Sequence, residues 1–418
     1  MIFIKFYPDC FVKILYITYD GLTDVLGRSQ VIPYLLGLSA LGHKIHVISF
    51  EKKHNSVSDK NEVTHLLQSA NIQWSSLTFR TSPPWISKFS DIIQIRQKAR
   101  QLHLLHRFDI VHCRSYIAAL AGLDLKTKYN VKFVFDMRGF WANERIEGYI
   151  WNLDNPFYRV IYHYFKKKEK LFFRYADAVI SLTYNGKQVI RELFGKSVHD
   201  KTTVIPCCVD TDLFCMDGID HSLLLKTKKD LNIGEKDFVI SYLGSTGTWY
   251  MTGEMMLFFS RLQKKYTHAK FLFITTDDEH TLKKKSVEYG ISEDSIRVIP
   301  AQRKDVPYYL ALSHVSIFFI RPVFSKKASS PTKQAEILSM GIPLICNAGV
   351  GDTDRIMADE KAGIVIKDFS DAEFDHAIEK IDHLLSLDRD QIRQKAIDSF
   401  NLKTGIEAYH GIYQSFQN

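Results

Sequence analysis

The sequence predicts an α/β protein built as two successive halves, each a parallel sheet flanked by helices. Three observations lead there. Short apolar, β-branched runs alternate with helix-length segments almost from end to end, the pattern of parallel strands joined by crossover helices. At 418 residues the chain is longer than one compact core serves, so two domains of about 200 residues each are expected. The strand series also restarts after a polar, strand-free stretch. We therefore place a first domain at 1–207, a linker at 208–236 and a second domain at 237–401.

In the first half, 12–18 (VKILYIT) reads as a buried strand. A glycine-containing loop follows, 20–30 (DGLTDVLGRSQ), then a helix over about 29–41 and a strand at 44–50. Short apolar strands follow at 109–113, 132–135, 178–183 and 203–206. The second series comprises 238–243, 270–275, 295–299, 315–320, 342–346 and 363–366. An aromatic helix at 402–416 closes the chain.

Composition narrows the function classes. The 45% hydrophobic and 24% charged fractions are those of an ordinary globular protein. No run approaches the roughly 18 apolar residues needed to span a bilayer. Residues 1–12 are broken by Lys5, Pro8 and Asp9 and do not read as a secretion signal, so a cytoplasmic protein is expected. Six cysteines, Cys10, Cys113, Cys207, Cys208, Cys215 and Cys346, match no zinc spacing and imply no disulfide framework. A net charge of +8 favours anionic partners. No nucleic-acid module is recognisable.

The segment 329–347 (SSPTKQAEILSMGIPLICN) carries the most chemistry. It reads as loop, helix, tight turn and buried strand. Pro331 suits a first helical turn, and Ser329 and Ser330 are candidate N-caps. Amides near Thr332 and Lys333 would then face an anion at the helix N-terminus, with the Lys333 charge beside them. Glu336 lies one turn further in, placed to accept from sugar hydroxyls. Gly341 ends the helix. A structural αβ unit with a chance glutamate is the plain alternative.

Other strand ends supply further candidates. In the first loop, Gly27 allows close backbone approach and Arg28 adds charge, or the pair is simply a turn and helix start. Gly244 ends the strand 238–243. Arg321 lies just beyond the strand 315–320, as a phosphate ligand or an ion-pair partner, with Lys326 close after it. The stretch 133–151 (FVFDMRGFWANERIEGYIW) offers Asp136, Arg138, Trp141, Glu144, Arg145 and Trp151, and Arg114 follows another strand. These residues line a ligand site at the strand ends, or they form an ion-paired loop whose tryptophans fill gaps. The two Asp-x-Asp triplets, 210–212 and 352–354, read as caps and turns, so no metal is expected. The segment 157–175 mixes aromatics with Arg159, Lys166, Lys167, Lys168, Lys170 and Arg174; packing with a solvated basic face is one reading, contact with an anionic membrane the other.

Taken together, these motifs resemble the donor site of retaining GT-B glycosyltransferases of the family 4 type. Glu336 matches the second of the family's paired glutamates, which holds the ribose, and Gly341 and Pro343 match its Gly-x-Pro turn. The first glutamate would fall at Ala328. A family branch carrying Ser-Pro-x-Lys-x-x-Glu fits 330–336 as it stands here. Elsewhere the chain departs from the pattern: Ser245 replaces an arginine after Gly244, and Arg138–Gly139 stands where His-Gly is usual. The resemblance implies two Rossmann-like domains facing across a cleft, with the 402–418 helix returning to the first. It implies transfer of a sugar from a nucleoside diphosphate sugar to a hydroxyl with retention, without metal or other cofactor. Arg138, Arg321 and Lys333 would act in catalysis. Gly27, Arg28, Gly244, Ser329, Ser330, Thr332, Lys333 and Glu336 would bind the donor. Arg114, Asp136, Trp141, Glu144 and Arg145 would meet a saccharide or lipid-linked acceptor, a setting suited to bacterial cell-envelope polysaccharide synthesis at the inner membrane face. A sugar-nucleotide epimerase of the same fold and a non-catalytic partner subunit are the alternatives.

Overall fold

The computed structural model describes residues 11–52, 56–80, 84–358 and 361–417. The reading of the first residues as no secretion signal, and Cys10, thus fall almost wholly outside the described residues. The chain divides into two units, Met1–Ile205 with Leu402–Asn418, and Pro206–Asn401.

In the first unit the strands are β1 (Lys13–Thr18), β2 (Lys44–Glu51), β3 (Gln73–Thr78), β4 (Ile110–Arg114), β5 (Lys132–Asp136), β6 (Ala178–Ser181) and β7 (Thr202–Val204). They form one all-parallel sheet in the order β3-β2-β1-β4-β5-β6-β7. The order reverses between β1 and β4, and in such sheets ligands collect at the strand carboxyl ends near that switch. Strands β1, β2 and β4 are buried almost throughout, because helices cover both faces. Strand β3 is half-exposed at the edge, and its sequence QWSSLT carries no apolar run.

The second unit repeats the plan with β8 (Phe238–Leu243), β9 (Ala269–Ile274), β10 (Ile296–Ile299), β11 (Val315–Phe318), β12 (Leu344–Asn347) and β13 (Gly363–Ile366). Its parallel sheet runs β10-β9-β8-β11-β12-β13, again reversing beside its first strand. Residues 208–236, expected as a linker, pack within this unit: Phe214 is fully buried in its core, and a helix spans His221–Asp230. Arg393 fixes the stretch by donating to the carbonyls of Thr211 and Phe214.

Two local readings need correction. The single helix expected over about 29–41 is two, Val25–Gln30 and Ile32–Ala40, broken at Val31, whose backbone leaves the helical region ahead of Pro33. Proline lacks the N–H needed to continue the first helix. The helix after Ser330 begins at Thr332 with Pro331 as its N-cap, so neither Ser329 nor Ser330 caps it.

The helix Leu402–Gln414 belongs to the first unit. Tyr409 and Tyr413 are buried there, and the Tyr413 hydroxyl meets His112 Nδ1 at 2.7 Å.

Candidate active site

In the second unit, strand β8 delivers Tyr242 and Gly244 to one spot. Apolar burial on both faces fixes the strand, and Gly244 leaves it with φ +109, a conformation glycine adopts at little cost. The helix Thr332–Ser339 points its Lys333 side chain at the same spot. Lys333 Nζ donates to the Tyr242 hydroxyl at 2.9 Å and lies 3.6 Å from the Tyr250 ring centroid. A side chain on Gly244 would place its Cβ 3.0 Å from that nitrogen, so glycine makes room for the ammonium group. Burial drives the Lys333 pKa well below its usual value, opposed by the charges of Glu336 and Asp277.

Three residues on, and so on the same helical face, sits Glu336. Its carboxylate is paired with Arg303, whose guanidinium also lies 5.1 Å from the Phe214 ring. Burial raises the Glu336 pKa, with Arg303 and Lys333 pulling the other way. Around this pair the chain offers donors. Pro331 brings no side-chain acceptor to the first turn, so the amides of Thr332 and Lys333 remain for an anion. Ser329 and Thr332 are half-exposed beside them, and the Ser330 hydroxyl accepts from the Cys207 N–H. Arg321 donates to the Thr248 carbonyl at 3.2 Å, and Lys326 Nζ stands 3.8 Å above the Trp249 ring, so both line the loop after Gly244. The Thr246 hydroxyl donates to Asp277 at 2.6 Å and fixes the loop's start. Lys333, Glu336, Gly244, Thr332 and Ser329 are thus brought together, with Arg321 and Lys326 along the adjoining loop.

Several residues here escaped the sequence reading. Arg303, Tyr242, Tyr250 and Asp277 complete the constellation. Arg303 carried the signal that singled out Arg321, a cation shortly after a parallel strand. The tyrosines gave none, since their hydrophobic neighbours mark them only as core.

In the first unit, Arg114 ends β4 and donates from Nε to Asp20 at 3.2 Å. Asp136 ends β5 fully buried, accepts from the Tyr409 hydroxyl at 3.2 Å, and lies 3.7 Å from both Arg138 Nη1 and His112 Nε2. Burial alone would raise the Asp136 pKa, but Arg138, His112 and Arg114 outweigh it and hold the group below the usual carboxylate range. Asp136 therefore links strand ends to the closing helix instead of opening onto solvent. Arg138 adopts a left-handed backbone (φ +55), which turns the chain sharply after β5. Trp141 packs with Trp151, Phe165 and Tyr116, and the Arg145 guanidinium lies 5.0 Å from its ring. Glu144 is half-exposed on the same short helix, Trp141–Glu147.

Gly27 and Arg28 take other roles. A Cβ on Gly27 would sit 2.1 Å from the Gly21 carbonyl oxygen, so its task is close packing of helix on loop. Arg28 pairs with Asp59 and Glu62. The loop it was expected to serve is held instead by Glu51, which accepts from the amides of Leu22 and Thr23.

Comparison with known proteins agrees with this layout. Residues 34–213 match the sequence model described as Glycosyltransferase Family 4, and residues 225–398 match Glycosyl transferases group 1. An uncharacterized glycosyltransferase of Methanocaldococcus jannaschii is 23% identical over 231 residues, which is 54% of this chain and 50% of that protein. The chain thus spans half the length of that curated relative. A glycosyltransferase crystal structure from Rickettsia africae superposes with a TM-score of 0.70 at 17% identity, covering 97% of this chain and 99% of that one. Anabaena HepE, solved with UDP and glucose, gives 0.68 at 14% identity over 97% and 100%. The paired parallel sheets, the two matching family models and these likenesses lead to one conclusion: this chain belongs to the GT-B glycosyltransferases of the family 4 type.

Proposed function

We propose that the protein transfers a glycosyl group from a nucleoside diphosphate sugar to an acceptor hydroxyl, with retention of configuration. One observation carries this: a buried lysine at a helix start, boxed by Tyr242 and Tyr250 against Gly244. A diphosphate seated there would meet the Lys333 ammonium, the amides of Thr332 and Lys333, and Arg321. Such fixed positive charge stabilises the departing group as negative charge grows on it. Glu336 would accept from the ribose hydroxyls. As the bond from the sugar's anomeric carbon to the diphosphate breaks, the acceptor oxygen bonds on the same face. Its proton passes to the departing phosphate oxygen. In this reading Arg138 stands on the acceptor side and the chain's own cations neutralise the diphosphate.

Nucleotide binding is the direct test. UDP, GDP and ADP are added at one shared concentration, and a nucleotide for which that is about 100-fold over Kd should stabilise the protein by about 2.7 kcal/mol if it binds only the native state. One of them is expected to raise the melting temperature well above the others. No shift with any nucleotide would sink the donor reading. Proton NMR of the product anomer then decides retention, and release of free sugar with altered configuration would mark an epimerase.

The acceptor setting proposed is bacterial cell-envelope polysaccharide synthesis, with peripheral contact on an anionic membrane. The helix Pro156–Tyr175 buries Phe165, Phe172 and Phe173 but leaves Phe157, Val160 and Tyr164 exposed among its lysines. Each cation near such a surface gains about 1 kcal/mol. Among the described residues no helix is long and apolar enough to cross a membrane. Co-sedimentation with phosphatidylglycerol vesicles, lost on Lys167→Glu with Lys168→Glu, is the expected result; equal pelleting of both proteins rejects the contact.

A further inference from the structure

A buried carboxylate that accepts from a ligand has to be kept ionised and kept aimed, and Arg303 does both for Glu336. Arg303 lies in the turn after β10, just ahead of the helix Val306–Leu310. Its Nη1 donates to Glu336 Oε1, and no other hydrogen bond to this carboxylate is present among the described residues. An ionised carboxylate has about four acceptor positions, so several remain for ligand hydroxyls. The Glu336 side chain is only 9% exposed, which leaves water little access to them.

The arginine is itself held in place. Its guanidinium lies 5.1 Å from the ring centroid of Phe214, which is fully buried. Arg393, on the helix Arg389–Phe400, donates to the carbonyls of Phe214 and Thr211, each at 2.7 Å. It also donates to the carbonyl of Ser339, the last residue of the helix that carries Glu336. One side chain thus ties the ring beside Arg303 to the helix of Glu336. A planar fork can lie against a ring and reach a carboxylate oxygen together, which a lysine does less well. Lys333, on the same helical face, is turned toward Tyr242 and makes no hydrogen bond to Glu336.

We infer that Arg303, seated on Phe214, is a positioning residue of the donor site: it holds one oxygen of Glu336 and so aims the remaining lone pairs at the ribose. This deepens the transferase reading and rests on its ribose contact. Charge works in the same direction as geometry. Burial pushes the Glu336 pKa up, while Arg303 first, and Lys333 after it, pull it down. Arg393 is engaged by carbonyls, and Asp277 acts on Lys333. Without Arg303 the carboxyl group keeps its proton to higher pH, and a protonated carboxyl replaces an acceptor by a donor. Ribose recognition then fails at a pH where the wild type retains it.

The test uses the full chain and whichever of UDP, GDP and ADP raises the melting temperature, beside its 2′-deoxy counterpart. Isothermal titration calorimetry from pH 5.5 to 8.5 gives the ratio of the two Kd values, in which the titration of the phosphates cancels. At pH 8 the wild type should prefer the ribonucleotide by about tenfold or more, the margin of one hydrogen bond to a charged group. Glu336→Gln should lower that preference at every pH. In Arg303→Gln the preference should collapse at a higher pH than in the wild type. Arg303→Lys keeps the charge without the fork, so its curve should lie between the two, and it is the variant to read if Arg303→Gln does not fold. A partner that served the fold alone would change the melting temperature and leave the curve in place. An Arg303 variant whose curve coincides with the wild type therefore overturns the proposal, and the ribose contact survives if Glu336→Gln still loses the preference. A wild type with no preference at any pH removes the ribose contact itself, and the role of Arg303 with it.

Discussion

Lys333→Met is expected to cut turnover by about 10²–10³-fold while the melting temperature holds or rises. The two effects separate because the ammonium group is set for a ligand at a cost to the fold. Its pKa is lowered by burial, and that penalty exceeds the attraction of Glu336 and Asp277. Between the depressed folded value and the ordinary 10.5, the unfolded chain binds more protons than the native one. Stability linked to Lys333 therefore increases as pH climbs through that window, and below it the penalty is full. Methionine fills a similar volume with no charge to desolvate, so the fold loses only one hydrogen bond to Tyr242. The diphosphate, by contrast, loses its nearest cation. Lys333→Arg should not restore turnover: the nitrogen already abuts Gly244 and is held between two tyrosine rings, leaving no space for a longer, planar group. Steady-state kcat at saturating donor, with thermal denaturation of the same samples, checks both halves. Turnover within threefold of wild type would show that no phosphate comes near this nitrogen, on the scale of about 0.6 kcal/mol.

How far the sequence anticipates this site depends on what each residue needs from its surroundings. Strand β8 and strand β2 were legible because continuous apolar runs bounded by turn residues have few other ways to be buried. Strand β3 was not, because an edge strand with one covered face needs no such run. The Thr332–Ser339 helix lost its expected serine caps, but its Gly341 stop (φ +64) follows the local rule of left-handed turns, so Lys333 and Glu336 could be set on one helical face from the sequence. Arg303 could not, since its link to Glu336 spans 33 positions and is made only when β10 and the helix come together. The same limit misplaced Arg28. Its charge was visible, but its partners Asp59 and Glu62 lie on a separate helix, Val57–Ser69. Asp136 was rightly seen at a strand end, yet its tie to Tyr409 depends on a helix 273 positions away.

Glu336→Ala should leave a different kinetic mark: donor KM rising about 30–100-fold, with kcat changed far less. A ribose contact is made equally in the ground state and the transition state, so losing it removes uniform binding. Two hydroxyls donating to one carboxylate, at about 1–1.5 kcal/mol each, account for that range. The stability cost comes from elsewhere. Removing the carboxylate strands the Arg303 guanidinium, but that group is a quarter exposed and can turn toward water, so the loss should stay near ~1–2 kcal/mol. Adding Arg303→Met to Glu336→Ala should recover the melting temperature and leave KM high, which separates the fold's use of the pair from the ligand's. Glu336 also draws the Lys333 pKa upward, so its removal lowers that pKa further. The double variant Lys333→Met, Glu336→Ala should then lose less than the two singles combined, because part of the Glu336 effect acts through the Lys333 charge. Fully additive losses would mean the two side chains serve separate ligands, and a Glu336→Ala enzyme with wild-type KM would remove the ribose from this pocket altogether.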